Sequence, residues 1–297
     1  MSTLSANPRA STRTASATPS ARRRSRSRTA SAALHLTLVV ASFIAVFPIA
    51  WIALTSFKTR RDTWEEPGVL GSLGLANYRQ VFRDTLFGHW FVNSVLVAAG
   101  TTVLSVFVAA SAGYAASRFR FPGRGGLLWT FLVVQMFPMA VLIVPLYNIM
   151  SRLHLLDSYI GLMIAYSTIA VPFCAWMLKG YFDTVPRSID EAGLIDGLTP
   201  FGTFWRLVMP LARPGIAVTA FYSFLTAWAE IAYASVFMQS NDHYTLAVGM
   251  MTFVGQFKAE WGLLSATSVL VAIPAAIVFF LVQRHLVAGL TSGGAKE

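Results

Sequence analysis

The chain has 297 residues, of which 55% are hydrophobic and only 12% carry a charged side chain. So few charges cannot clothe a soluble globule of this size, and the composition fits one helical domain whose solvent is largely lipid. The net charge of +10 would suit a nucleic-acid binder, but its placement argues against one.

Arg9, Arg13, Arg22, Arg23, Arg24, Arg26 and Arg28 all precede the first apolar run, with no acidic residue among them. Residues 1–32, rich in Ser, Thr, Ala and Arg, read as a disordered tail attracted to anionic lipid headgroups. The tail has no aromatic residue to stack on bases, so nucleic acid is not an expected partner.

Six apolar runs follow, near 33–56, 91–117, 125–150, 158–180, 213–238 and 262–287. Each is close to the roughly 20 residues that a helix needs to cross a bilayer core. The first exceeds the h-region of a signal peptide and reads as a retained span. The predicted fold class is therefore an all-α integral membrane protein with six transmembrane helices over 33–289. Pro48, Pro138, Pro145, Pro172 and Pro274 lie inside these runs and predict kinks.

With the N-terminus inside, the inner segments hold the seven tail arginines, Arg118, Arg120, Arg124, Lys179, Arg187, Arg206, Arg213, Arg284 and Lys296. The outer loops hold Lys58, Arg60, Arg61, Arg79, Arg83, Arg152 and Lys258. Sixteen basic residues against seven place both termini in the cytoplasm.

Between the fourth and fifth spans, residues 180–214 are neither span nor unstructured loop. Ser188-Ile189-Asp190-Glu191 has the spacing of a capping box, which predicts a short helix starting at Ile189. That helix should close at Gly197, and Thr199-Pro200 reads as an N-cap with proline at the first position of a second helix ending near Pro210. Ile189, Ala192, Ile195 and Leu198 form an apolar stripe.

Glu191-Ala192-Gly193, Asp196-Gly197, Val208-Met209-Pro210-Leu211 and Pro214 resemble the EAA loop of bacterial ABC importer permeases. Gly193 stands where the family usually has alanine, and Leu198 where a small residue is common. The resemblance implies a coupling segment that docks on a separate ATPase, with Glu191, Ala192, Gly193, Asp196, Gly197 and Pro210 in that contact. It also implies an inner-membrane, multi-pass location.

Gln135-Met136-Phe137-Pro138, the run 244–250 and the ending 287–296 are similar to the maltose/maltodextrin type, the smaller MalG-like subunit. That likeness implies a second permease subunit, a homodimer of ATPase subunits and an extracytoplasmic sugar-binding protein as partners. It implies that the outer loop Gly255, Gln256, Phe257 and Lys258 meets the binding protein. It implies further that Thr291, Ser292, Gly293 and Gly294, in the tail 290–297, reach the ATPase. ATP and Mg would be bound by the partner ATPase, leaving this chain a transport subunit without cofactor or catalytic residue of its own.

The residues themselves agree with that division of labour. No GxxxxGK[ST] phosphate loop occurs, Cys174 is the single cysteine, and the five histidines lack ligand spacing, so no metal site is expected. Glu230 is the acidic residue well inside a span, two positions after Trp228, and the pair are candidates to face sugar in the pathway. Equally, Glu230 could meet another polar group, and Trp228 could belong to the interfacial belt. A secondary, ion-coupled transporter is the alternative, with Glu230 as its slender support. A membrane-bound enzyme is disfavoured because no Asp, Glu, His and Ser constellation gathers in the sequence.

Overall fold

The computed structural model describes residues 28–58, 73–255 and 260–293, and among these its regular structure is helical, with one isolated bridge between Lys58 and Leu73. The helices are α1 Arg28–Ser56, α2 Ala76–Asp84, α3 Phe87–Arg118, α4 Arg124–Val134, α5 Met139–Arg152, α6 Tyr159–Thr184 and α7 Arg187–Ile195. There follow α8 Pro200–Thr203, a π-helical turn Phe204–Val208, α9 Met209–Leu211, α10 Arg213–Trp228, α11 Ala232–Phe237, α12 Leu246–Met251 and α13 Trp261–Gly293. The chain divides into two compact units, 1–49 and 50–297.

The described part of the first unit lies wholly within the α1 helix. Its span Ser31–Ser56 has a mean hydropathy of 2.4 over its most apolar window, enough to cross a bilayer. Helix begins at Arg28, ahead of the boundary expected at residue 33, and residues 1–27 lie outside the described part.

In the second unit, α3 and α6 form the central pair. Asn93 meets Tyr159, Ser105 meets Ser167 and Ser117 meets Asp183, so the two helices run parallel in nearly constant register. Buried small side chains, Ser105, Ala109 and Ala110 on α3 with Ala170, Cys174 and Ala175 on α6, let the backbones approach as membrane helices require.

Parallel neighbours oblige the intervening chain to cross back, and α4 with α5 does so. Phe131 of α4 packs by the α7 end of the bundle, while Tyr147 of α5 meets Phe237 at the other end. The kink expected at Pro138 in the third run is a sharp break: the two helices bend by 109° around it. Proline has no amide to continue the ladder, and the residue before it is driven out of helical geometry.

α10 runs antiparallel to α6, with Cys174 against the Thr219 carbonyl and Tyr166 against the Glu230 carbonyl. α13 returns beside α10, Trp228 Nε1 donating to Val271 O at 3.2 Å. The expected single fifth span, 213–238, is corrected: α10 stops at Trp228 and the short α11 follows. Among the described residues, four helices are long and apolar enough to cross a membrane, or up to six when each bent pair counts as one. The last helix runs on through Leu290 to Gly293, so the tail expected from residue 290 begins as helix.

Candidate functional site: the α7 projection and its anchor

The chain ends of α3 and α6 and the start of α10 meet at one end of the bundle, and α7 to α9 cross it. α7 starts two residues before the expected Ile189: the helix begins at Arg187 after Pro186, and Ser188 makes no cap hydrogen bond. Proline at the N-cap already places the chain in extended geometry, φ −57° and ψ 137°, so no side-chain cap is needed to turn it.

The other end of α7 is as its sequence dictates. Gly197 has φ +80°, Leu198 N donates to Gly193 O at 2.9 Å, and Gly197 N donates to Leu194 O at 3.1 Å. These are the two bonds of a Schellman closure, which glycine permits because it has no Cβ. Thr199 Oγ1 then accepts from Gly202 N at 3.1 Å and caps α8, with Pro200 at its first turn. Pro210 explains the π turn before it: lacking an amide, it cannot bond Arg206 O, and the chain widens so that Met209 N reaches Phe204 O.

Of the residues expected to dock, Glu191, Ala192, Asp196, Gly197 and Pro210 are exposed, while Gly193 is buried. A Cβ on Gly193 would sit 2.7 Å from Thr203 Oγ1 and 2.9 Å from Leu207 Cδ1. Gly193 is therefore the close-packing point between the two arms. Ile195 is 86% exposed and Leu194 53%, an apolar tip beside the acids.

The anchor of this tip joins residues that the sequence does not link. Arg118 Nε meets Asp190 Oδ2 at 2.8 Å, and Tyr114 Oη donates to Asp190 Oδ1 at 2.7 Å. Arg118 also donates to Val185 O at 2.9 Å, and Ser117 Oγ donates to Asp183 Oδ1 at 2.6 Å, where Lys179 closes a further ion pair at 2.6 Å. Asp190 sits in the first turn of α7, where the helix dipole favours an acid. In the sequence Arg118 reads only as an inner charge and Asp190 only as part of the capping box. An acid in a helical first turn in a cation-rich region was the available signal.

Trp228 and Glu230 do come together, but each has a partner within the chain. Trp228 stacks on Phe224 and donates to α13, and Glu230 accepts from Tyr233 N at 2.9 Å and Ala234 N at 3.3 Å. Glu230 is thus the cap of α11, which accounts for an acid inside the fifth run. Gly255 is described, and Glu260 N donating to Phe253 O at 3.0 Å brings the loop's ends together. Gln256, Phe257 and Lys258 lie outside the described residues, as does Gly294, whereas Thr291, Ser292 and Gly293 continue α13.

At the opposite end of the bundle, Asp157 accepts from Gln239 N at 2.9 Å and Ser240 N at 3.1 Å, and bonds the Ser240 hydroxyl and His243 Nδ1, the latter at 3.0 Å. Partial burial alone would raise its carboxyl, but the Ser240, Gln239 and His243 donors outweigh it and bring it down to about 2. Asn93 and Trp90 of α3 donate to the carbonyls of Asp242, Tyr244 and Asn241, binding the same loop to the bundle.

The profile described as "Binding-protein-dependent transport system inner membrane component" matches residues 104–292, which include α7 to α9. The chain belongs to this family of transport subunits. It is 34% identical over 263 residues to the maltodextrin transport system permease protein MalD of Streptococcus pneumoniae, covering 88% of this chain and 94% of that one. It is 35% identical over 266 residues to the sulfoquinovosyl glycerol transport system permease protein SmoH of Agrobacterium fabrum, covering 88% and 93%. Its fold is similar to a chain in the crystal structure of a bacterial ABC transporter that imports alginate, with a TM-score of 0.75 and 22% identity over 87% of this chain and 98% of that one. The family's members are transport components, and the chain is read accordingly as a permease subunit rather than an enzyme.

Proposed function

We propose that this permease forms half of the translocation pathway of an ATP-driven importer for maltodextrin or a related oligosaccharide. Its partners are a second permease, a homodimer of ATPase subunits that hold ATP and Mg, and an extracytoplasmic sugar-binding protein. Both relatives named above are permeases for glycosides, which supports the substrate class. The observation that carries the coupling role is the exposed tip of α7, Ile195 and Leu194 beside Glu191 and Asp196, mounted on a glycine closure and tied to α3 through Asp190. An apolar tip with an acidic margin suits a groove on a soluble partner.

Both termini face the cytoplasm, on the charge asymmetry, and the α7 end is the inner one. The two amides that donate to Glu230 support the ATP-driven reading over the ion-coupled alternative, since they give that carboxylate a structural role. The test is uptake of labelled maltotriose by proteoliposomes holding the whole complex. Uptake should require enclosed ATP and the binding protein and survive a protonophore, and Ile195→Cys should cross-link to the ATPase. Uptake driven by an ion gradient without ATP would overturn the reading.

A further inference from the structure

Where α8 and the π turn lie against the last turns of α3, two hollows stand side by side and share Tyr114, Phe119 and Pro200 as walls. One, of about 280 Å³, is a slot lined by the rings of Tyr114, Phe119, Phe201 and Phe204, with Ser111 and Ala115 between them. Its wall asks for no polar ligand: the Ser111 hydroxyl donates to Phe107 O at 2.9 Å, and the Tyr114 hydroxyl donates to Asp190 at 2.7 Å. Beyond the slot the aromatic surface continues, with the ring of Phe201 edge-on to Trp205 at 6.2 Å and Trp205 stacked on Phe107 at 6.3 Å. Phe107, Phe119, Phe201 and Trp205 are all exposed. From Phe107 to Phe119 the chain advances twelve residues, about 18 Å of helix, close to the roughly 15 Å of hydrocarbon in one leaflet.

The second hollow, of about 200 Å³, carries the charges. Arg118 and Asp190 on its wall answer each other, and Glu191 belongs to the face offered to the ATPase. That leaves Arg187, which is exposed and whose hydrogen bond to Ser117 O is long, at 3.5 Å. Arg120, next to Phe119, and Arg206, next to Trp205, are exposed as well. We propose that slot and hollow together seat one anionic phospholipid, an acyl chain along the aromatic slot and the phosphate at Arg187. Hydrocarbon at membrane depth, aromatic rings at the boundary and cations on the water side follow the order of groups in such a lipid, and a guanidinium fork suits a phosphate. A soluble polar ligand would bring groups that find no partner in the slot. A chain seated there braces α8 against α3 beside the Asp190 anchor. The choice of the inner leaflet rests on the orientation argued above, whereas the lipid itself rests neither on the sugar nor on ATP.

Cys174, the single cysteine of the chain, is buried, so Phe201→Cys gives one accessible thiol at the mouth of the slot. That thiol is labelled with a benzophenone in the full complex, whose other subunits have been cleared of reactive thiols. The complex is then illuminated in proteoliposomes holding equal amounts of phosphatidylglycerol and phosphatidylcholine, and the adducts are read by mass spectrometry. They should fall on phospholipid and favour phosphatidylglycerol by about 5-fold, the worth of one arginine near a membrane surface. Adding Arg187→Gln, a surface change that leaves the slot intact, should bring that preference close to 1. Adducts on the second permease or on the ATPase would make that subunit the occupant and overturn the lipid. So would equal labelling of the two lipids before Arg187 is changed, or a preference that Arg187→Gln leaves as it was. No step of this reads sugar uptake, so a complex that imports no maltotriose fails the proposed function while the lipid site stands or falls on its own adducts.

Discussion

The two ends of the helical bundle each hold a carboxylate at the junction of a crossing helix and a loop, but they hold it differently. At the α7 end, Asp190 is gripped by two long side chains from α3, Arg118 and Tyr114, and carries a helix whose outer face is bare. At the other end, Asp157 is gripped by backbone amides, a hydroxyl and an imidazole from one short loop, and that loop is bound again to α3 by Asn93 and Trp90. The first arrangement joins a rigid projection to the bundle at a few strong points, as a lever needs. The second distributes many weaker bonds over a loop, as a closed rim needs.

The largest expected effect breaks the lever at its hinge. In Gly197→Pro the ring cannot take φ +80° and the amide donated to Leu194 is gone, so both closing features of α7 are lost. The permease should reach the membrane at near-normal level, with ATPase association weakened and maltotriose uptake abolished. Normal uptake would reduce the segment to a linker.

Next is the anchor. The Arg118 and Asp190 side chains are only 7% and 18% exposed, and removing one member of such a pair leaves the other uncompensated, at about 3 kcal/mol. Arg118→Met and Asp190→Asn should each destabilise the α7 projection, and the double variant should cost less than their sum. That non-additivity, read from thermal melts of the purified complex, is the check. Strict additivity would make the contact incidental.

A smaller effect is expected where the two arms cross. Gly193→Ala forces Thr203 or Leu207 to shift, an overpacking worth about 1–3 kcal/mol. Thr203→Ala in the same chain should restore most of the lost melting temperature and coupling, whereas the same rescue by a substitution at Asp157 is not expected.

The weakest effect sharpens the contrast at the other end. Asp157 is brought from 3.8 to about 2 in the folded chain, so its contribution is present above the unfolded value and is lost as pH falls through the folded one. The melting-temperature gap between wild type and Asp157→Asn should therefore be constant above about pH 5 and close between about pH 4 and pH 2. A gap that stays open at pH 2 would show that the carboxylate charge is not what holds the loop.

What was legible at the α7 end was local. Gly197 and the Thr199-Pro200 cap are decided within a few residues, by a left-handed turn and a missing amide, and both stand where the sequence put them. The start of α7 failed because two local devices competed: Pro186 sets the turn by its fixed φ, which leaves the Ser188 hydroxyl nothing to cap. The anchor was out of reach because Arg118 and Asp190 are 72 positions apart, and charge counting sees the sign of a residue but not its neighbour.

By itself the sequence determined the solvent, the number of long apolar runs and the closing turns of the coupling segment, since each depends on composition or on contacts within one turn. Only the tertiary structure decided how sharply the third run breaks around Pro138, because a proline permits a kink or a break and the parallel packing of α3 on α6 sets the crossing that the run must make between them. Likewise, Ala229-Glu230-Ile231 holds no proline or glycine to announce a break. There the chain leaves the helix because Glu230 is better used capping Tyr233 and Ala234, a preference that exists only once α11 has a place to pack.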